Sequence, residues 1–98
     1  MSRIELAPEV ADDFDRIFEH LFAHGADDAP GRIQDIIAAI DVLQHSPLIG
    51  RPVRSDTREL VIGRGSRGYV ALYRYVVSID TVFVLAVRSQ REAGYGRA

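Results

Sequence analysis

The sequence contains no cysteine, no tryptophan and no lysine. Without cysteine there is no disulfide framework, no thiol nucleophile and no cysteine-ligated zinc. Without lysine every basic side chain is an arginine, whose guanidinium fork pairs bidentately with carboxylate or phosphate where an ammonium acts as a point charge. No apolar run approaches the roughly 20 residues that span a bilayer. The opening Met1-Ser2-Arg3-Ile4-Glu5 lacks the apolar stretch of a secretory signal. These absences lead to the expectation of a cytoplasmic protein without membrane contact. With 98 residues there is material for one modest core, so 1–98 reads as a single domain.

What is present is unevenly distributed. Residues 1–50 carry three arginines against ten acids, a net charge of −7. Residues 51–98 carry nine arginines against four acids, a net of +5, so a chain of net charge −2 has an acidic half and a basic half. A protein polarised in this way suits docking of one face on an acidic partner.

The hydrophobic pattern divides at the same place. Arg3–Ala7 is a short strand candidate with Ile4 and Leu6 on one face. Pro8 opens a helix whose apolar stripe is Val10, Phe14, Ile17, Phe18, Leu21 and Phe22, with Gly25 as its C-terminal stop. A second helix starts at Asp27 or Asp28, carries Pro30 in its first turn, and buries Ile33, Ile36, Ile37, Ile40 and Leu43. Pro47 bounds its end, and Pro47–Asp56 reads as loop. The period then changes to that of strands over Thr57–Ile62, Tyr69–Val76 and Thr81–Arg88. Short links between them imply an antiparallel meander, whose apolar face only the helical hairpin can cover. The predicted class is α+β in the order β-α-α-β-β-β, a helical hairpin packed on a small, mainly antiparallel sheet. The pattern leaves the place of the first strand in that sheet open.

Several signals resemble chemistry. Gly63-Arg64-Gly65-Ser66-Arg67-Gly68 has the G-x-G-x-x-G spelling, but dinucleotide binding needs a helix after it and here a strand follows. It reads instead as a flexible hairpin loop carrying Arg64 and Arg67. His20 and His24 stand at i, i+4 on the first helix, away from its apolar stripe and without an H-E-x-x-H context, so no metal site is expected. The acid pairs Asp12-Asp13 and Asp27-Asp28 fall where they compensate a helix dipole. Arg58, Arg74 and Arg88 sit on strands that should be neighbours, with Ser89, Gln90 and Arg91 just beyond the last of them, so these arginines could converge on one side or edge of the sheet. Such a set suits an anion or an acidic partner; it suits equally a solvated face that protects a sheet edge. Tyr95 follows in the tail.

Taken in order, these segments are familiar. Glu59-Leu60-Val61-Ile62, the strand opened by Gly68-Tyr69 with Tyr73-Arg74 near its end, the Val/Leu-rich Val82–Arg88 and the closing Arg88, Arg91 and Tyr95 resemble the C-terminal half of RelE/ParE toxins. The loop Pro47-Leu48-Ile49-Gly50-Arg51-Pro52 is similar to the family's segment after the second helix, and the resemblance extends over essentially the whole chain. It implies a toxin of a type II toxin–antitoxin system, held inactive by a cognate ParD-like antitoxin. That partner is expected to have a ribbon-helix-helix domain and an acidic or amphipathic C-terminal segment that folds on the toxin.

The resemblance also separates two activities. The RelE branch cleaves messenger RNA on the ribosome, chemistry that needs proton transfer and cations around the phosphate. In that branch an arginine follows the strand tyrosine, where this chain has Val70; an acid candidate lies six residues before the closing tyrosine, where this chain has Ser89; and lysines are expected where it has none, Arg58 being an imperfect substitute. Arg88, Arg91 and Tyr95 do match, and they are the catalytic set of that alternative. The ParE branch binds and inhibits DNA gyrase, and the loss of nuclease residues from an intact scaffold favours it. On this reading there are no catalytic residues, cofactor or metal, and the toxin alone does not bind DNA. The target-binding set is Arg58, Arg64, Arg67, Arg74, Arg88, Arg91 and Tyr95. A non-toxic binding module is the third alternative.

Overall fold

The computed structural model describes residues 1–25, 28–63 and 68–90. Strand β1 (Arg3–Leu6) runs into helix α1 (Pro8–Ala23), whose first turn holds Pro8, with its fixed φ and missing N–H, and Glu9 beside the positive end of the helix. The helix stops at Gly25, which takes φ +65° and donates its N–H to the Phe22 carbonyl at 3.2 Å. Glycine adopts this left-handed conformation without the Cβ penalty. Helix α2 (Ala29–Asp41) begins after Asp28, whose carboxylate accepts the Gly31 N–H at 3.2 Å. A 3-10 turn over Val42–Gln44 continues it and carries Leu43 into the core.

The remaining strands are β2 (Arg51–Pro52), β3 (Thr57–Ile62), β4 (Tyr69–Val76) and β5 (Thr81–Ser89), and the five strands lie in the order β1-β5-β4-β3-β2. The β5-β4-β3-β2 part is antiparallel, as expected of a meander. The first strand, whose place the sequence left open, lies parallel to the last, with Arg3 opposite Thr81 and Leu6 opposite Val84. A parallel neighbour is reached through a long crossover, and the helical hairpin is part of that crossover. The segment expected to be loop, Pro47–Asp56, contains the short strand β2, which pairs Arg51 with Glu59 and Pro52 with Arg58. Pro52 cannot donate to a ladder, and it sits in an edge strand where that costs nothing.

Helix α1 lies on β5, and α2 packs against α1 and β3. The core between hairpin and sheet contains Val10, Ile17, Leu21, Ile36, Ile40 and Leu43 from the helical half and Tyr69, Ala71, Tyr73, Val82, Val84 and Val87 from the sheet. A bulge shifts the register between β4 and β5: Leu72 faces Ala86 and Tyr73 faces Val84, leaving Leu85 as the extra residue. It moves the core-facing positions of β5 from even numbers, Val82 and Val84, to the odd Val87.

The apolar stripe of α1 is narrower than its sequence suggests. Val10, Ile17 and Leu21 are buried and Phe14 packs partly, but Phe18 is 39% and Phe22 75% exposed. Their rings stack on each other at 6.5 Å rather than on the sheet. Ile37 of α2 is also exposed. Asp13 is buried instead, and its carboxylate accepts the Val87 N–H at 3.0 Å while Arg16 donates to the Val87 carbonyl at 3.2 Å. Because β1 ends opposite Val84, these two side chains serve β5 where that strand partner has stopped. A buried backbone group without a partner is costly, which is why a carboxylate occupies this helix position.

Candidate functional site: the open face of the sheet

Side chains alternate across a strand, so the register fixes which of them face away from the hairpin. That open face carries Arg51 of β2, Glu59 and Val61 of β3, Val70, Leu72 and Arg74 of β4, and Phe83, Ala86 and Arg88 of β5. No described helix covers it, yet Val70 and Ala86 are 3% and 4% exposed. Arg88 stands in the row of Val70 and Val61, one row along from Glu59, Leu72 and Ala86. Its side chain therefore reaches diagonally across β4 toward Glu59.

Glu59 is the centre of the arrangement. It is 8% exposed. One carboxylate oxygen accepts from Arg51 Nε at 3.1 Å and Nη2 at 2.9 Å, and the other lies 3.9 Å from Arg88 Nη2. The Arg88 side chain is 15% exposed, and its Nη1 donates to the Ser89 carbonyl at 3.0 Å. Arg74 shares the face and pairs through Nε with Asp56 at 3.2 Å, a solvated contact. The face thus combines an apolar strip, a buried carboxylate flanked by two guanidiniums, and a third guanidinium on a looser ion pair.

Arg58 is elsewhere. It stands opposite Tyr73 on the hairpin side, and its Nη1 donates to the carbonyls of Leu48 at 3.1 Å and Gly50 at 2.8 Å. The same loop is held by the Tyr73 hydroxyl, which accepts the Gly50 N–H at 2.8 Å. Burial raises the Tyr73 pKa above the usual phenol value, opposed by the Gly50 N–H and the Arg58 charge, so this group is a fixed hydrogen-bonding post. Of the residues singled out in the sequence, Arg74 and Arg88 share the open face, two rows apart, and Arg58 does not join them. Arg64, Arg67, Arg91 and Tyr95 lie outside the described residues. Arg51, in a segment that reads as loop, and Glu59 do not stand out in the sequence. The available signal was that Glu59 is one of only four acids in the basic half and the only one inside the β3 pattern.

The other candidates find local explanations. Strand β3 precedes Gly63 and β4 opens at Tyr69, so no described helix offers its N-terminus to a pyrophosphate at the glycine motif. Gln90 spans its two ends, donating its N–H to the Gly68 carbonyl at 2.9 Å and Nε2 to the Gly63 carbonyl at 3.3 Å. His20 and His24 are exposed with ring centroids 4.2 Å apart, and among the described residues no group of three or more His, Asp or Glu side chains gathers to hold a metal. A cleft of about 360 Å³ lies between β1 and β5, lined by Arg3, Glu5, Leu6, Phe83 and Leu85 among others. Asp80, at the turn before β5, accepts from the Ser2 hydroxyl and the Tyr75 hydroxyl, each at 2.6 Å. Those two donors hold its carboxyl below the usual range, and the same contact pushes the Tyr75 phenol up. Among the described residues no helix is long and apolar enough to cross a membrane.

The architecture is that of the small α+β proteins of toxin–antitoxin systems. The chain is similar to a structure of the chromosomal ParDE toxin–antitoxin system of P. aeruginosa, with 24% identity and a TM-score of 0.74 over 91% of this chain and 96% of that one. It is also similar to the RelBE2 toxin–antitoxin complex of Mycobacterium tuberculosis, at 22% identity and a TM-score of 0.59 over 91% of this chain and 98% of that one. A third similar structure is the archaeal RelE–RelB complex of Pyrococcus horikoshii, at 13% identity and a TM-score of 0.57 over 94% of this chain and 98% of that one. No curated protein matches in sequence. The model of the ParE toxin of the type II toxin–antitoxin system parDE matches residues 4–94, and the chain belongs to that family.

Proposed function

We propose that this single-domain ParE-type toxin arrests growth in the cytoplasm by binding DNA gyrase, with no catalytic step of its own. Its partner is a cognate ParD-like antitoxin, whose ribbon-helix-helix domain binds DNA and whose acidic or amphipathic C-terminal segment folds on the toxin. The toxin alone does not bind DNA. The observation that carries this reading is the position of Arg58. It is the imperfect substitute for the missing lysines of a ribonuclease, and its guanidinium is committed to the Leu48 and Gly50 carbonyls on the hairpin side of the sheet. Val70, where the ribonuclease branch has an arginine, is buried and apolar. Ser89 stands where that branch has its acid candidate, and a hydroxyl is a poor proton donor to a leaving oxygen.

The target-binding set on this account is the open face, Arg74 and Arg88 with Arg51 beside them, together with Arg64, Arg67, Arg91 and Tyr95 of the sequence reading. Guanidinium forks over an apolar strip are a combination enriched at protein interfaces, where arginine anchors contribute much of the affinity. The test is DNA supercoiling by purified gyrase titrated with the purified toxin. Inhibition that is relieved by antitoxin is the expected result. Unimpaired supercoiling, with cleavage of messenger RNA on added ribosomes, would transfer the function to the ribonuclease branch and to Arg88, Arg91 and Tyr95.

A further inference from the structure

We propose that Glu59 is a positioning residue of the toxic surface: it fixes Arg88 across β4, and toxicity depends on that placement rather than on the positive charge of the face alone. The inference rests on the reading of the open face as the target-binding surface and goes beyond it by assigning a role to an acidic residue within it.

Three observations carry it. Glu59 is almost fully buried although no described helix covers its face, so its carboxylate is held by protein groups rather than by water. Its two oxygens are divided between two strands, one bonded to Arg51 of β2 and the other 3.9 Å from Arg88 of β5, with β4 between. Arg88 itself is 15% exposed at the side chain, whereas Arg74 keeps 45% and pairs with the solvated Asp56. A long arginine lying across a strand gives up considerable rotamer freedom. A carboxylate at the far end holds it there, and a guanidinium ordered in advance binds with less entropy still to lose.

The proposal makes a prediction opposite in sign to simple electrostatics. Glu59→Gln removes one negative charge from a face meant for an acidic surface, and long-range attraction alone would make the toxin stronger. If Glu59 acts by placing Arg88, the same substitution weakens the toxin, and it does so only while Arg88 is present.

The experiment is a double-mutant cycle of Glu59→Gln and Arg88→Ala in the full chain. It is read as the induction level that halves growth without antitoxin and, separately, as inhibition of purified gyrase. Circular dichroism and melting of each purified protein establish that it is folded. The expected result is a loss of about tenfold or more for Glu59→Gln alone, and a difference of less than about twofold between Arg88→Ala and the double variant. A toxin unchanged or strengthened by Glu59→Gln, or an added loss in the Arg88→Ala background, overturns the proposal. If Glu59→Gln alone fails to fold, Arg88→Met is compared with Glu59→Gln/Arg88→Met, which leaves no buried charge of the pair unmatched; equal toxicity is again expected, and unequal toxicity contradicts it. Growth arrest without gyrase inhibition would remove gyrase as the target while the growth cycle still decides the role of Glu59. A wild-type chain that arrests nothing overturns both.

Discussion

The ring of Tyr73 occupies the space in which a side chain at Gly50 would stand: a Cβ there would lie 2.7 Å from Tyr73 Cε1 and Oη and 2.8 Å from the Glu59 carbonyl oxygen. The Tyr73 hydroxyl then accepts the Gly50 N–H at 2.8 Å. Glycine is needed here for close approach, and the approach fixes the loop that delivers Arg51 to the edge of the sheet. Gly50→Ala is therefore expected to lower thermal stability by about 1–3 kcal/mol through overpacking. Tyr73→Phe is expected to cost about 1–3 kcal/mol by leaving the buried Gly50 N–H without its acceptor. Urea unfolding of the two variants checks both values. Wild-type stability in Tyr73→Phe would show that the loop does not depend on the hydroxyl.

The Asp13 carboxylate on the Val87 N–H makes a second prediction. Asp13→Ala should destabilise by about 1–3 kcal/mol although it replaces a charged helix residue with the best helix former. On a helix face that was merely solvated, the same change would be neutral or stabilising. Denaturant unfolding distinguishes the two by sign.

The width of the helix stripe can be tested in the same way. Phe22, 75% exposed, should tolerate Phe22→Ser within about 0.5 kcal/mol. Ile17→Ala, at a buried position of the same helix, should cost about 2–5 kcal/mol. Comparable losses at the two sites would restore the broader stripe that the sequence suggests.

Helical spacing made both helices legible, because tertiary packing follows a stripe regardless of what it packs on. It overstated the stripe because Phe18 and Phe22 satisfy the spacing yet lie beyond the edge of the sheet's cover. The meander was legible from β-branched and aromatic runs, but the place of β1 was not: pairing is a property of two segments, and four residues carry little information about their partner. The bulge at Leu85 was hidden for a related reason, since an extra residue is visible only against the strand it faces. At the site, arginines drew attention through charge. Glu59 did not, because an acid in a strand declares its role only once Arg51 and Arg88 are seen on either side of it.

Stability should respond to pH at both ends. The folded-state pKa of Asp80 is depressed by the Ser2 and Tyr75 hydroxyls. Its contribution is fully present above the unfolded value near 3.8 and is lost as pH falls through the folded value. Tyr75 and Tyr73 are raised above 10.0, so their contribution is present below that value and is lost as pH rises through the folded one. Melting temperature measured against pH should show both limbs, and Asp80→Asn should flatten the acid limb. An acid limb unchanged in Asp80→Asn would assign it to other carboxylates.

Arg74 offers a test of surface against structure. Its ion pair with Asp56 is solvated at both ends, so Arg74→Ala should alter stability by less than about 1 kcal/mol. If the open face meets the target, the same variant should raise the induction level needed for growth arrest several-fold. Full toxicity in a normally folded Arg74→Ala protein would exclude this arginine from the contact set.

Under the proposed function the toxin's first effect falls on DNA synthesis and not on translation. Pulse-labelling of DNA and protein synthesis in cells just after induction of the toxin without its antitoxin tests it most directly. The account predicts that incorporation of DNA precursors falls first while translation continues. An early loss of translation with DNA synthesis intact would contradict it.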